Sequence, residues 1–84
     1  MKKIYFLEDD RADGDTFSDC LGQVSRKYAI ERAITEWEHL TSNEQKKSVI
    51  SLFSMSQKQC NAVLRGEVLY TDFKLVFQIP NKKH

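Results

Sequence analysis

The sequence predicts an α+β fold, a three- to four-stranded antiparallel or mixed sheet with one long helix packed on one face. Apolar residues recur at helical spacing through residues 26–40, which indicates the helix. Residues 3–7 and 49–55 are short apolar runs rich in β-branched and aromatic side chains, and they indicate strands. Residues 73–79 alternate with the period of a strand inside the last strand region, Val68–Ile79.

A single domain is expected from the length of 84 residues, and we place it at 1–80, followed by a polar tail at 81–84. Hydrophobic residues make up 40% and charged residues 30%, which is typical of a globular domain. A core of this size is marginal, so a homodimer is one expected way to bury more surface. The first apolar run is too short for a secretion signal, and no run reaches the roughly 20 residues of a membrane span, which predicts a cytoplasmic protein.

The long helix is expected at Arg26–Leu40 and begins after Ser25, a favourable N-cap residue. Its apolar stripe predicts which side chains enter the core, with Trp37 as the largest of them. Residues Thr41–Glu44 have the sequence of a capping box, which predicts a short second helix at Ser42–Lys47. The stripe consists of Ile30, Ala33, Ile34, Trp37 and Leu40.

Two segments leave alternatives open. Residues 9–15 are acidic and contain an Asp-Gly pair, so we expect a turn or an exposed loop there. Thr16–Leu21 either pairs back on the first strand as a hairpin, which we favour, or stays a loop. Ser56–Gly66 is either a helix that opens with a capping box and ends at its glycine, or a strand of a hairpin that turns at Arg65–Glu67.

The sequence carries no recognisable catalytic or metal-binding pattern, and we predict a protein that is not an enzyme and holds no cofactor or metal. Cys20 and Cys60 stand outside any CxxC pair, and both are expected to be reduced, small buried hydrophobes. The three glycines are scattered, so no phosphate-binding loop is expected. A calcium loop starting at Asp9 fails because Arg11 takes position three and Cys20 position twelve, where an EF-hand needs oxygen ligands.

The charge of the chain is +1 overall but uneven, because six carboxylates lie between Glu8 and Asp19 against a single Arg11. Clustered carboxylates repel one another, and a basic partner surface would relieve that repulsion. We therefore take this acidic loop as the candidate partner-binding site, with a merely solvated turn as the alternative. Its members are Glu8, Asp9, Asp10, Asp13, Asp15 and Asp19.

One pattern resembles a known group of proteins. The signature Ala33-x3-Trp37-x2-Leu40-Thr41-x2-Glu44, followed by a strand, is similar to that of a loose group of small uncharacterised bacterial proteins often encoded on phages and mobile elements. The resemblance implies a strand or hairpin, a helix that carries the signature, and then further strands. The group has no assigned activity to carry over, so the resemblance supports the fold more than the function.

We predict a small non-catalytic protein that acts by protein–protein binding. An inhibitor from a phage or mobile element, such as an anti-CRISPR protein, is one concrete form, in which the acidic loop mimics the phosphates of a nucleic acid inside a basic channel. The alternative is a small nucleic-acid-binding accessory module that uses dispersed lysines and arginines. Those residues are Lys2, Lys3, Lys46, Lys47, Lys58, Arg65, Lys82 and Lys83.

Overall fold

The computed structural model describes residues 3–12 and 14–80. Over these residues, four strands form one antiparallel sheet in the order β2-β1-β3-β4, and three α-helices and a 3-10 turn at Tyr70–Asp72 accompany it. The α+β prediction is confirmed. The strands are β1 Ile4–Arg11, β2 Thr16–Gln23, β3 Ser48–Met55 and β4 Lys74–Ile79, and the helices are α1 Arg26–Glu38, α2 Ser42–Lys47 and α3 Gln57–Leu64.

The sheet is covered on both faces, whereas the sequence pattern predicted a helix on one. Directly opposed residues of antiparallel strands share a face, so the register of the two central strands sorts their side chains. Helix α1 packs on one face and α3 on the other, and we call these the α1 face and the α3 face. The core of the α1 face contains Tyr5, Leu7, Ala29, Ala33, Ile50 and Leu52, and that of the α3 face contains Ile4, Phe6, Phe53, Met55 and Cys60.

Helix α1 approaches the sheet through its smallest apolar residues. Ala29 and Ala33 are fully buried, while Trp37 is only partly buried at the margin of the core and Ile34 is 38% exposed. Small side chains let the helix backbone lie close to the strands, which leaves the larger residues of the stripe at the periphery. The stripe therefore predicted the burial of Ala33 correctly, but it missed the fully buried Ala29, included the exposed Ile34, and placed Trp37 at the centre of the core rather than at its margin.

Both capping boxes are present. The Thr41 hydroxyl accepts from the Glu44 N–H at 3.2 Å, and the Glu44 carboxylate accepts from the Thr41 N–H at 2.8 Å. Ser56 and Gln59 repeat this arrangement at the start of α3. Since such a box satisfies two backbone donors at once, it fixes where each helix begins. The helical alternative for Ser56–Gly66 is therefore correct.

Three further predictions are settled by the observed strand bounds. Thr16–Leu21 does form a hairpin strand with β1. β1 continues to Arg11, four residues beyond its predicted end at Leu7, because both neighbouring strands pair with it over this length. The last strand begins only at Lys74, since Tyr70–Asp72 form a 3-10 turn. Within 3–12 and 14–80, no helix is long and apolar enough to cross a membrane.

The close approach of α1 to the sheet can be tested by enlarging one buried alanine. Ala33→Leu should lower the free energy of unfolding by about 1–3 kcal/mol, because added methyl groups have no space at a fully buried position. Ile34→Leu, one residue along the same helix but exposed, should change it by less than about 0.5 kcal/mol. Urea unfolding followed by circular dichroism measures both, and equal losses would show that the helix does not pack through Ala33.

Candidate functional site on the acidic hairpin

Most of the acidic segment is strand, which corrects part of the prediction of a turn or exposed loop over residues 9–15, because residues 9–11 belong to β1. β1 and β2 pair from Ile4 opposite Gln23 to Asp10 opposite Thr16. The connection between them is short: the Arg11 N–H donates to the Asp15 carbonyl at 2.9 Å, and Gly14 has a φ of 98°, which glycine adopts at little cost. We call residues 8–19 the acidic hairpin.

The register places the carboxylates of the acidic hairpin on opposite faces of the sheet. Glu8 and Asp10 lie opposite Ser18 and Thr16 and point to the α3 face. Asp9 lies opposite Phe17 on the α1 face, and Asp19 shares that face because it lies opposite Leu7. Asp15 lies at the end of the turn, and the predicted site residue Asp13 lies outside the described residues. The structure thus divides the predicted site into two groups.

Arg11 holds the α1-face side of the hairpin together. Its guanidinium donates from Nε and Nη2 to Asp9 Oδ2, both at 3.3 Å, and its Nη1 lies 3.5 Å from Glu44 Oε2. The same guanidinium lies 5.2 Å from the centroid of the Phe17 ring, within cation–π distance. The hydrogen bond from the Thr41 N–H lowers the pKa of Glu44, so this carboxylate stays charged beside Arg11.

A second arginine, which sequence reasoning missed, reaches the hairpin from α1. Arg32 Nη2 lies 3.6 Å from Asp19 Oδ2 and 3.5 Å from Glu36 Oε1. Only the strand register and the rotation of α1 bring Arg32 to Asp19, since thirteen positions separate them in the chain. The spacing of Arg32 and Glu36, one helical turn apart, was the one signal visible in the sequence.

A small cavity of about 260 Å³ lies where α1 meets the hairpin. Its apolar surface comes from Leu7, Phe17 and Ile50. Its charged lining contains three carboxylates and one guanidinium, and the buried Oδ1 of Asp9 has no hydrogen-bond partner among the described residues. The lining therefore combines apolar side chains with an excess of acidic ones. The charged lining residues are Asp9, Arg11, Asp19 and Glu36.

On the α3 face, Glu8 takes part in a polar row that crosses all four strands. The Tyr70 hydroxyl donates to Glu8, and the Gln78 amide donates to the Ser51 hydroxyl at 3.0 Å. The Tyr70 ring stacks on Phe6 with centroids 5.6 Å apart, so the core positions the hydroxyl. In order across the sheet, the row is Ser18, Glu8, Ser51 and Gln78. Glu8 is thus a structural acceptor as well as a predicted site residue.

The outer side of the hairpin is open. Every residue of Thr16–Cys20 is exposed, and β2 is an edge strand of the sheet. Phe17 is 55% exposed despite its contact with Arg11. An edge strand offers unpaired backbone donors and acceptors to an approaching chain. The edge and the exposed aromatic ring are features that the charge pattern alone did not indicate.

The two cysteines occupy different environments, which corrects the prediction that both are buried. Cys60 is buried against the α3-face core, while Cys20 is exposed on β2 opposite Phe6. Burial raises the pKa of the Cys60 thiol, and the neighbouring Cys20 adds to the shift. A thiol with a raised pKa carries less of the reactive thiolate.

Those basic residues of the nucleic-acid alternative that the structure describes are spread over several elements. Lys46 and Lys47 end α2, Lys58 lies in the first turn of α3, and Arg65 forms an exposed ion pair with Glu67. Lys2, Lys82 and Lys83 lie outside the described residues. Over the described part of the chain, no group of three or more histidine, cysteine, aspartate or glutamate side chains is placed to hold a metal ion.

Comparison with models of protein families, with curated proteins and with solved structures gives no match.

The Tyr70–Glu8 hydrogen bond predicts that the free energy of unfolding decreases at alkaline pH. Burial, and after it the Glu8 carboxylate, raises the pKa of Tyr70 well above its usual value of about 10. The folded protein therefore holds the phenol proton more tightly than the unfolded chain. The contribution of this proton to the free energy of unfolding is complete below about pH 10 and is lost as the pH rises further. Urea unfolding at a series of pH values should show that decline.

Tyr70→Phe is the matched variant for this prediction. It should lower the free energy of unfolding at neutral pH by about 1–2 kcal/mol, because Glu8 loses a donor. It should also make the decline above pH 10 shallower than in the wild type. An identical alkaline decline in the variant would show that Tyr70 is not the group responsible.

The two thiols should react at different rates with a disulfide reagent at pH 8. Cys20 should react within the mixing phase, whereas Cys60 should react only as fast as the protein opens, because it is buried and its pKa is raised. Cys20→Ser should remove the fast phase and Cys60→Ser the slow one. The two rates are compared in these single-cysteine variants, because in the wild type the Cys60 thiol can displace the reagent from the neighbouring Cys20. A fast phase in Cys20→Ser would show that Cys60 is accessible.

Proposed function

We propose that this protein is a non-catalytic binding domain that uses the acidic hairpin to engage a basic surface of another protein. The observation that carries the proposal is the open outer side of the hairpin. There, an edge strand, an exposed aromatic ring and an acidic cavity lie next to one another. Aromatic residues, phenylalanine among them, are enriched in the buried centres of protein interfaces.

The charges suit a basic partner. Asp10, Asp15 and Asp19 are exposed, so their carboxylates can meet lysine and arginine side chains without unfolding the hairpin. The small cavity beside them has three acidic lining residues against one arginine, which suits a single basic side chain with an aliphatic stem. Complementary charge of this kind mainly raises the association rate and makes it sensitive to salt.

The strand edge adds a second mode of contact. A partner segment in extended conformation can pair with the outer edge of β2 and gain main-chain hydrogen bonds. A hairpin that presents both an edge and exposed carboxylates can therefore select a strand with basic side chains. This arrangement needs no rearrangement of the core.

A phage or mobile-element inhibitor, such as an anti-CRISPR protein, is the concrete form that we propose. The resemblance through Ala33, Trp37, Leu40, Thr41 and Glu44 supports the origin, and the exposed carboxylates support competition with nucleic acid for a basic channel. A protein of this kind binds its target and not free nucleic acid. This distinguishes the proposal from a nucleic-acid-binding module.

The proposal is tested by neutralising the exposed carboxylates of the hairpin. The triple variant Asp10→Asn, Asp15→Asn, Asp19→Asn should lose at least about tenfold in capture of a protein that the wild type retains from a bacterial lysate, because each close charge pair contributes about 1 kcal/mol or more. Asp9 is left in place because it holds Arg11. The melting temperature should stay within a few degrees of the wild type.

The control variant neutralises three carboxylates elsewhere, with Glu31→Gln, Glu38→Gln and Glu67→Gln, all exposed. It should capture the same protein as the wild type. Equal losses of captured protein in both triple variants would show that capture depends only on net charge, and they would contradict a binding site on the hairpin. Fluorescence polarisation with labelled DNA and RNA at about 50 mM salt, where phosphate contacts are strong, should show no saturable binding. Saturable binding there would favour the nucleic-acid module.

A further inference from the structure

A second and larger cavity lies at the end of the sheet opposite the hairpin turn. Its volume is about 680 Å³, within the range of small-molecule sites. We call it the basic cleft because three of its lining residues are cationic and one is acidic. Its lining includes Lys3, Arg26, Lys74, Asp72, Ser54 and Phe73.

The antiparallel topology brings the three cations together. Lys3 precedes β1, Arg26 is the first residue of α1 after β2 ends, and Lys74 begins β4 opposite Ser54 near the end of β3. Ile4 pairs with both Gln23 and Met55, so these strand ends lie at the same end of the sheet. Residues that are far apart in the chain thus line a single cavity.

The same end of the sheet is electropositive for a second reason. Helices α1 and α3 both begin there, each directly after a strand that ends beside Ile4. Neither helix has an acidic residue in its first turn, and α1 begins with Arg26 and Lys27. Cations at a helix N-terminus oppose the helix dipole, so the free protein bears an unfavourable charge arrangement that a bound anion would reverse.

We propose that the basic cleft binds a small phosphate-bearing molecule of nucleotide size. Three cations against one carboxylate favour an anion, and the guanidinium of Arg26 can bind two phosphate oxygens at once. Phe73 provides an aromatic surface on which a base can stack, and the buried Ser54 contributes a hydroxyl. The volume is that of a small-molecule site, whereas a nucleic acid strand needs a longer basic stripe.

Asp72 allows a substitution that should strengthen phosphate binding, in contrast to the substitutions of the cations. Its carboxylate lines the cavity and also accepts from the Leu69 N–H at 3.3 Å. The negative charge of Asp72 repels a phosphate, while an amide in its place can still accept the backbone hydrogen bond. Asp72→Asn should therefore tighten phosphate binding, and a gain of affinity cannot come from misfolding.

The experiment is a chemical-shift titration of the ¹⁵N-labelled full chain with inorganic phosphate and, separately, with ADP, in about 50 mM salt. ADP should bind with a dissociation constant of about 1 mM or tighter, and phosphate more weakly. The shifts should centre on the backbone amides around Ser54 and Phe73. Lys74→Gln and Arg26→Gln should each weaken ADP binding about five- to tenfold, and Asp72→Asn should tighten it about two- to fivefold.

Lys27→Gln is the matched control, since Lys27 is exposed in the same first turn of α1 and does not line the cleft. It should leave the ADP affinity within about twofold of the wild type, as expected for a charge screened by solvent. Equal weakening by Lys27→Gln and Arg26→Gln would reduce the binding to general surface charge and overturn the proposal. So would the absence of saturable shifts, or tight binding of an oligonucleotide that ADP fails to displace. The acidic hairpin is intact in all these variants, so their outcome is independent of the proposed function.

Discussion

The pairing of β1 with β3 is the constraint on which the rest of the structure depends. The two strands stay in register over eight residues, from Ile4 opposite Met55 to Arg11 opposite Ser48. Consecutive residues Ile4–Leu7 are all buried because both faces of this pair are covered. A shift of one residue would exchange the two faces, placing carboxylates where the core now has apolar side chains. The boundary between the apolar and the acidic half of β1 therefore fixes the register.

Once that register is fixed, the carboxylates of the acidic hairpin cannot act as one cluster. Alternate members point to opposite faces, where different partners hold them: Arg11 and Arg32 on the α1 face, and Tyr70 on the α3 face. The self-repulsion expected from the sequence is thus partly offset within the fold. The carboxylates that stay exposed lie along the outer strand and the turn. The proposed interface therefore contains fewer carboxylates than the sequence suggested.

Local signals in the sequence predicted the helices well. The capping boxes at Thr41 and Ser56 are short-range hydrogen-bond patterns, and both helices begin where these patterns indicate. The end of β1 could not be predicted in the same way, because acidic residues disfavour strands and only pairing with β2 and β3 keeps them extended. The position of Trp37 also depends on tertiary structure, since the closeness of α1 to the sheet follows from Ala29 and Ala33.

The candidate sites were harder to predict than the fold, because each is assembled from several elements. The acidic segment was visible as a run of like charges, but the contributions of Arg32, Glu36 and Phe17 require the register of the hairpin and the rotation of α1. The basic cleft does not appear in the sequence as a run of like charges, because Lys3, Arg26 and Lys74 are distant in the chain. The only local trace was the absence of acidic residues at the starts of α1 and α3.

The small net charge of the chain conceals a separation of charge along the sheet. The turn of the acidic hairpin and the basic cleft lie at opposite ends of β1, roughly 25 Å apart at 3.3 Å per residue. At physiological ionic strength the Debye length is about 8 Å, so the charges at each end are screened from those at the other. An anion in the cleft would therefore have little electrostatic effect on the hairpin. Any coupling between the two ends has to pass through the packing of β1.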